Sequence, residues 1–153
     1  IPLSAIVTRK EVMDKVNPGT IGGTYGANAL AAVSALKVIE VMKRDNYPAK
    51  ALHIAEKITA GIKEIQKKHP CIGDIRGTGA MMGIELVKDP ASKEPDAELT
   101  GRIIQNAMNK GLMLEAAGTF NNVIRILSPL VVTDEQIDAG LAIMASAFDE
   151  EDK

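Results

Sequence analysis

With 153 residues, 46% of them apolar and 25% charged, the chain has the make-up of a folded globular protein, which excludes disordered and fibrous classes. A net charge of −2 with interspersed signs denies it the positive field of a nucleic-acid binder. One cysteine, Cys71, excludes an internal disulfide, and with only His53 and His69 beside it no four-cysteine or Cys2His2 zinc site can be built.

The chain opens inside an apolar run, Ile1-Pro2-Leu3-Ser4-Ala5, without a methionine, and is expected to be a piece of a longer protein. Ile1 to Val7 has the β-branched, apolar look of a buried strand, and Arg9 to Val16 reads as a short helix. Asn17 to Asn28 is a glycine-rich loop. The alanine-rich segment Ala29 to Met42 predicts a helix, with Leu30, Val33, Leu36 (or Lys37) and Val41 at three- and four-residue steps. Its apolar start, Ala29 to Leu36, is interrupted by Ser34 and followed by Lys37, far short of a membrane span. No signal peptide is visible, so no membrane partner and a cytoplasmic location are expected.

Asn46-Tyr47-Pro48 breaks the pattern and marks the expected boundary, dividing the chain into 1–47 and 48–153. From Ala49 to Lys67 a second helix is expected, with Leu52, Ala55, Ile58, Ile62 and Ile65 on one stripe. Ile72 to Arg76 and Ala80 to Val87 flank Gly77-Thr78-Gly79 and predict a hairpin. Asp89 to Asp96 is a polar loop, Ala97 to Asn109 a helix closed by Gly111, and Leu112 to Glu115 and Val123 to Leu127 are strands. Thr133 and Gln136 have capping-box spacing and open a last helix with Ile137, Leu141, Met144 and Phe148 inward; the acidic tail Asp149 to Asp152 is expected to fray. The order predicts an α+β fold with a mixed sheet covered by helices.

Two places can carry chemistry. In Pro18-Gly19-Thr20-Ile21-Gly22-Gly23-Thr24-Tyr25-Gly26-Ala27-Asn28, glycines let backbone amides approach an anion, Thr24 adds a hydroxyl, and a helix start follows. The spacing is neither a P-loop nor a Rossmann fingerprint, so a phosphate site and a plain connection both remain open. Arg125 lies between apolar neighbours. On a strand it shares a face with Val123 and Leu127, which predicts an inward arginine needing either a structural carboxylate or a ligand. Arg76, at a strand end before glycine, is expected to satisfy nearby carbonyls. His53 and His69 are expected to be solvated, and Cys71 and the methionines to pack.

Taken together, Pro2-Leu3-Ser4-Ala5, Gly22-Gly23-Thr24-Tyr25-Gly26-Ala27-Asn28, Gly73-Asp74-Ile75-Arg76-Gly77-Thr78-Gly79-Ala80-Met81 and Asn122-Val123-Ile124-Arg125-Ile126-Leu127-Ser128-Pro129-Leu130 resemble the class III aminotransferases, and among them the 4-aminobutyrate aminotransferase group. Ornithine and acetylornithine aminotransferases share most of these strings. The resemblance implies a pyridoxal 5′-phosphate enzyme of fold type I: residues 1–47 would end the large α/β cofactor domain, and 48–153 would form the small C-terminal α+β domain. It implies a homodimer acting on amino-acid and 2-oxo-acid substrates. Thr24 matches the threonine that hydrogen-bonds the cofactor phosphate of the neighbouring subunit, and Arg125 the arginine that binds the α-carboxylate of glutamate or 2-oxoglutarate. The family's Schiff-base lysine precedes the Pro-Leu-Ser-Ala string, and no lysine here stands in that position, so the chain alone is expected to be inactive. The glutamate that covers the arginine in the family would also lie upstream. Ala29 stands where the family often has proline, which should loosen that helix start. A same-class alternative is an ornithine or acetylornithine aminotransferase, and a different one is a non-catalytic α+β binding or dimerisation module. Separated from the rest of such an enzyme, the run Ile1 to Val7 and the helix Ala29 to Met42 would be left exposed.

Overall fold

The computed structural model describes residues 1 and 3–151. The chain divides into two compact units, Ile1–Asn46 and Tyr47 onward.

The first unit holds α1 (Lys10–Met13), the glycine loop and α2 (Ala29–Arg44). The strand expected over Ile1 to Val7 does not form at any described residue; Pro2 lies outside them. A strand needs a ladder partner for its backbone groups, and this unit supplies none among its described residues. The helix expected over Arg9 to Val16 shrinks to one turn, because so short a segment gains little for the cost of nucleation and runs into Asn17-Pro18. α2 forms where expected and extends two residues further. The proline missing at Ala29 is made good by Asn28, whose side-chain oxygen accepts the Ala31 N–H at 3.0 Å and caps the helix.

In the second unit α3 (Tyr47–Gln66) starts earlier than expected. Asn46, at φ 50°, makes the break, and Pro48 sits in the first turn, where no N–H is needed. Leu52 is exposed; Ile54 takes its place on the buried stripe with Ile58, Ile62 and Ile65. The hairpin joins β1 (Ile72–Thr78) and β2 (Met81–Leu86), with Gly79 and Ala80 as its loop and Thr78 paired to Met81. α4 (Ala97–Asn109) follows, capped by Asp96, then β3 (Glu115–Ala117), β4 (Val123–Leu127) and α5 (Asp134–Asp149). The capping box of Thr133 and Gln136 is present in both directions.

The sheet is antiparallel throughout, in the order β1-β2-β4-β3, and not mixed: hairpin pairing joins β1 to β2 and β3 to β4, and β4 returns alongside β2. α3 and α4 pack on the sheet, α5 packs against both, and the three helices share one core with it. There Ile84 pairs with Ile75 and Ile124, and Phe148, Ile62, Ile84, Leu86, Ile103 and Ile124 are fully enclosed. The buried polar residues are bonded: Thr100 Oγ1 donates to the Asp96 carbonyl and Asn122 Nδ2 to the Leu86 carbonyl.

Two expectations fail at the end of α5. His69 is not solvated but 3% exposed, packed at a tilt against Phe148 and bonded to Asp149. The acidic residues through Glu151 are not loose: Glu151 takes Arg102 and Asn106, and Glu150 takes Lys110. Carboxylates at a helix C-terminus oppose its dipole, and cations brought by α4 offset them.

Candidate functional site

Thr24 belongs to the first unit. It is a central residue of the turn closed by the Gly26 N–H on the Gly23 carbonyl at 2.9 Å, with Tyr25 beside it at an exposed tip. Its hydroxyl has no partner among the described residues. Gly22, Gly23, Tyr25 and Gly26, with Thr20, Ile21 and Leu3 to Ile6, line a hollow of about 700 Å³. Thr24 stands at this loop rather than in the lining. Bare glycine backbone and a free hydroxyl suit a phosphate, so these residues fit the phosphate end of pyridoxal phosphate. No lysine lines the hollow, so this loop offers nothing for the aldehyde end. Ala27 leaves the loop at φ 59°, a left-handed conformation that costs an alanine roughly 1–2 kcal/mol.

Arg125 belongs to the second unit, at the middle of β4. It does not point inward. Its side chain is 46% exposed on the sheet face away from the helices, and it is paired with Glu115. Its parity neighbours explain the correction. Ile124 and Ile126 take the helix-covered face, Leu127 is exposed with Arg125, and Val123 is buried with Gly118 and Gly83 close against it.

The register lays one outward row across all four strands: Arg76, Gly83, Arg125, Glu115. Arg76 bonds carboxylates rather than the carbonyls expected. Asp74 lies at 2.7 Å, and Glu85 on β2 is the second partner. The hydrogen bond it donates to Asp74 first, and that to Glu85 next, hold its guanidinium more firmly charged than usual. Between the two arginines Gly83 presents no side chain. A Cβ there would come within 3.2 Å of Val123 Cγ1, so a side chain at this position would crowd the neighbouring strand. Sequence reasoning missed Glu115 and Gly83; the loop Gly118 to Asn122 sets the register that places Glu115 opposite Arg125, and that spacing was the available signal.

The other candidates are structural. His53 Nε2 lies 2.8 Å from Asp134 Oδ1 on the surface, and Cys71 is partly buried against the core. Among the described residues no group of three or more His, Cys, Asp or Glu could hold a metal ion, and no helix is long and apolar enough to cross a membrane.

The fold is shared with solved aminotransferases. Against the crystal structure of a Bacillus anthracis aminotransferase the TM-score is 0.75 at 30% identity, over 84% of this chain and 30% of that one. The family described as aminotransferase class-III matches residues 1–148, and the chain belongs to that family. It is 47% identical to the 4-aminobutyrate aminotransferase GabT of Escherichia coli (strain K12) over 97% of its length, and 42% identical to the 5-aminovalerate aminotransferase DavT of Pseudomonas aeruginosa over the same share. The chain spans 35% of the length of each of these curated relatives.

Proposed function

We propose that this chain is the C-terminal part of a pyridoxal-phosphate aminotransferase that moves an amino group from an ω-amino acid, 4-aminobutyrate or its one-carbon-longer homologue, to 2-oxoglutarate. Residues 1–47 end its large domain and 48–153 form its small domain. Bound pyridoxal phosphate supplies the electron sink of the reaction. Thr24 donates its hydroxyl to the phosphate, in the site of the partner subunit of a cytoplasmic homodimer, and Arg125 grips the carboxylate of 2-oxoglutarate or glutamate with a two-pronged guanidinium. The observation that supports the substrate side is Arg125 itself, a guanidinium half-exposed on the face of the sheet away from the helices. Relatives acting on 4-aminobutyrate and 5-aminovalerate support the choice of donor. By itself the chain transfers nothing, because none of its lysines stands in the Schiff-base position.

Kinetics of the full-length enzyme carrying this chain test the assignment. Arg125→Ala raises KM for 2-oxoglutarate by about thirtyfold or more, as truncating one side of a hydrogen-bonded charge pair does, and affects the ω-amino donor far less. Arg125→Lys recovers only part of the loss, since an ammonium cannot form the fork. Equal losses for both substrates would show that Arg125 serves the fold. Thr24→Ala weakens retention of pyridoxal phosphate during dialysis, and unchanged retention would remove Thr24 from the cofactor site.

A further inference from the structure

The glycine loop passes into α2 through two consecutive turns. The Gly26 N–H closes the first on the Gly23 carbonyl at 2.9 Å, with Thr24 and Tyr25 at its centre. The Asn28 N–H closes the second on the Tyr25 carbonyl at 3.3 Å, with Gly26 and Ala27 at its centre, and Asn28 then caps α2 through Ala31. In a turn with a positive φ at its third residue, that place normally goes to glycine or asparagine, because an ordinary side chain crowds the following carbonyl there. Here the residue is Ala27, at φ 59°. The glycine beside it answers a different need: a Cβ on Gly26 would lie 3.1 Å from the Gly23 carbonyl oxygen, across the first turn. The unfavourable backbone therefore falls on one alanine, directly between the exposed Thr24 and the cap that anchors the loop to α2.

Resting on the reading of Thr24 as a phosphate-binding group, we propose that Ala27 is a positioning residue: its left-handed backbone sets how fully the loop is formed before the cofactor arrives, and so how tightly Thr24 and the glycine amides hold the phosphate. Alanine makes the formed turn less favourable relative to open conformations of the loop than glycine or asparagine would. A ligand that binds the formed turn is held less tightly in proportion to the fraction of the loop that has formed. Ala27 is exposed, so a change of side chain acts through the backbone rather than through packing. Gly22, Gly23, Tyr25 and Gly26 line the hollow at this loop, which leaves space against the turns for an anion.

The test is the dissociation constant of pyridoxal phosphate from the full-length enzyme carrying this chain, read from the absorbance of the cofactor, across Ala27→Gly, Ala27→Asn and Ala27→Val. The asparagine and valine variants differ little in size but are opposite in tolerance of a positive φ. Ala27→Gly and Ala27→Asn are expected to tighten the cofactor by about two- to fivefold, the range that relief of a backbone mismatch allows, and Ala27→Val to loosen it. KM for 2-oxoglutarate, measured with saturating cofactor, should stay unchanged, since Arg125 serves that substrate. In a Thr24→Ala background the spread across the three variants should narrow. If Thr24→Ala alone loosens the cofactor, but Ala27→Gly and Ala27→Asn leave it unaltered, or Ala27→Asn and Ala27→Val act alike, or the spread is as wide without Thr24 as with it, the role of Ala27 is overturned while that of Thr24 stands. The glycine and asparagine variants decide the matter even where Ala27→Val fails to fold. If Thr24→Ala leaves the cofactor held as before, the reading of Thr24 falls, and the role of Ala27 with it.

Discussion

α2 and α3 are neighbours in sequence, of similar length, and both carry apolar residues at helical spacing, yet they meet opposite fates. On α3, Ile54, Ile58, Ile62 and Ile65 disappear into a core shared with the sheet and with α4 and α5. On α2, Leu30, Val33, Leu36, Val38, Ile39 and Met42 are all exposed, and Ala31 is the buried residue of the first unit among those described. The difference is one of partners. The second unit contains enough layers to close around its own apolar stripe, whereas a helix apolar on most of its circumference needs cover on more than one side. The second unit has a self-sufficient core, whereas the first has a sequence built for more contact than its own unit gives it, and the chain spans 35% of the length of the curated relatives it matches.

Chemical denaturation of this chain sharpens that contrast, and the largest effects belong to the second unit. Phe148→Ala, removing a fully enclosed ring that packs on His69, should cost about 4 kcal/mol. A loss below about 1 kcal/mol would mean that the core of this unit is not closed. Gly77→Ala comes next. Its new methyl would lie 2.3 Å from the Met81 carbonyl oxygen, a backbone atom that cannot step aside, and the hairpin should lose about 2 kcal/mol.

Acid should act more gently, through the surface tie of α3 to α5. The hydrogen bond from His53, and then the charge of Lys57, hold the Asp134 carboxyl below the usual carboxylate range. The unfolded chain therefore binds the proton more readily, and stability rises with pH across the acid window. The contribution is present in full above the unfolded value near 4 and is lost as pH falls through the lower folded value. Asp134→Asn should flatten that part of the stability profile measured between neutral pH and pH 3; an unchanged slope would show that the tie carries no linkage. The smallest effect should come from Leu36→Ala, under about 0.5 kcal/mol, because its side chain already faces water. A loss comparable with that of Phe148→Ala would erase the distinction between the two units.

Local signals in the chain located most elements. Asp96 with Ala97–Asn109 and Gly111, and Thr133 with Gln136, mark helix ends by satisfying backbone groups within a few residues, so α4 and α5 were legible from their caps. β4 was legible from its run of β-branched and apolar residues. The candidate site was legible only by name: Thr24 and Arg125 stand in readable motifs, but what surrounds them does not. The failures share one cause. His69 reads as solvated because it precedes Pro70 at a helix end; Phe148, which covers it, arrives from α5. Glu151 was read as loose because Arg102 and Asn106, which hold it, come from α4.

The sequence by itself determined where α4 begins and ends, where α5 begins and that Val123–Leu127 is a strand, because capping, turn chemistry and residue periodicity act within one turn or one strand. It did not determine which face of that strand meets the core. Val123 and Leu127 on one parity and Ile124 and Ile126 on the other are all apolar, so the period-two pattern fits either choice. The helices covering the sheet decided it: with Ile124 enclosed beneath them, Arg125 was turned outward between Gly83 and Glu115. An arginine expected to be buried is instead an exposed guanidinium, and that choice could be made only by burying one face of a sheet against elements far away in sequence.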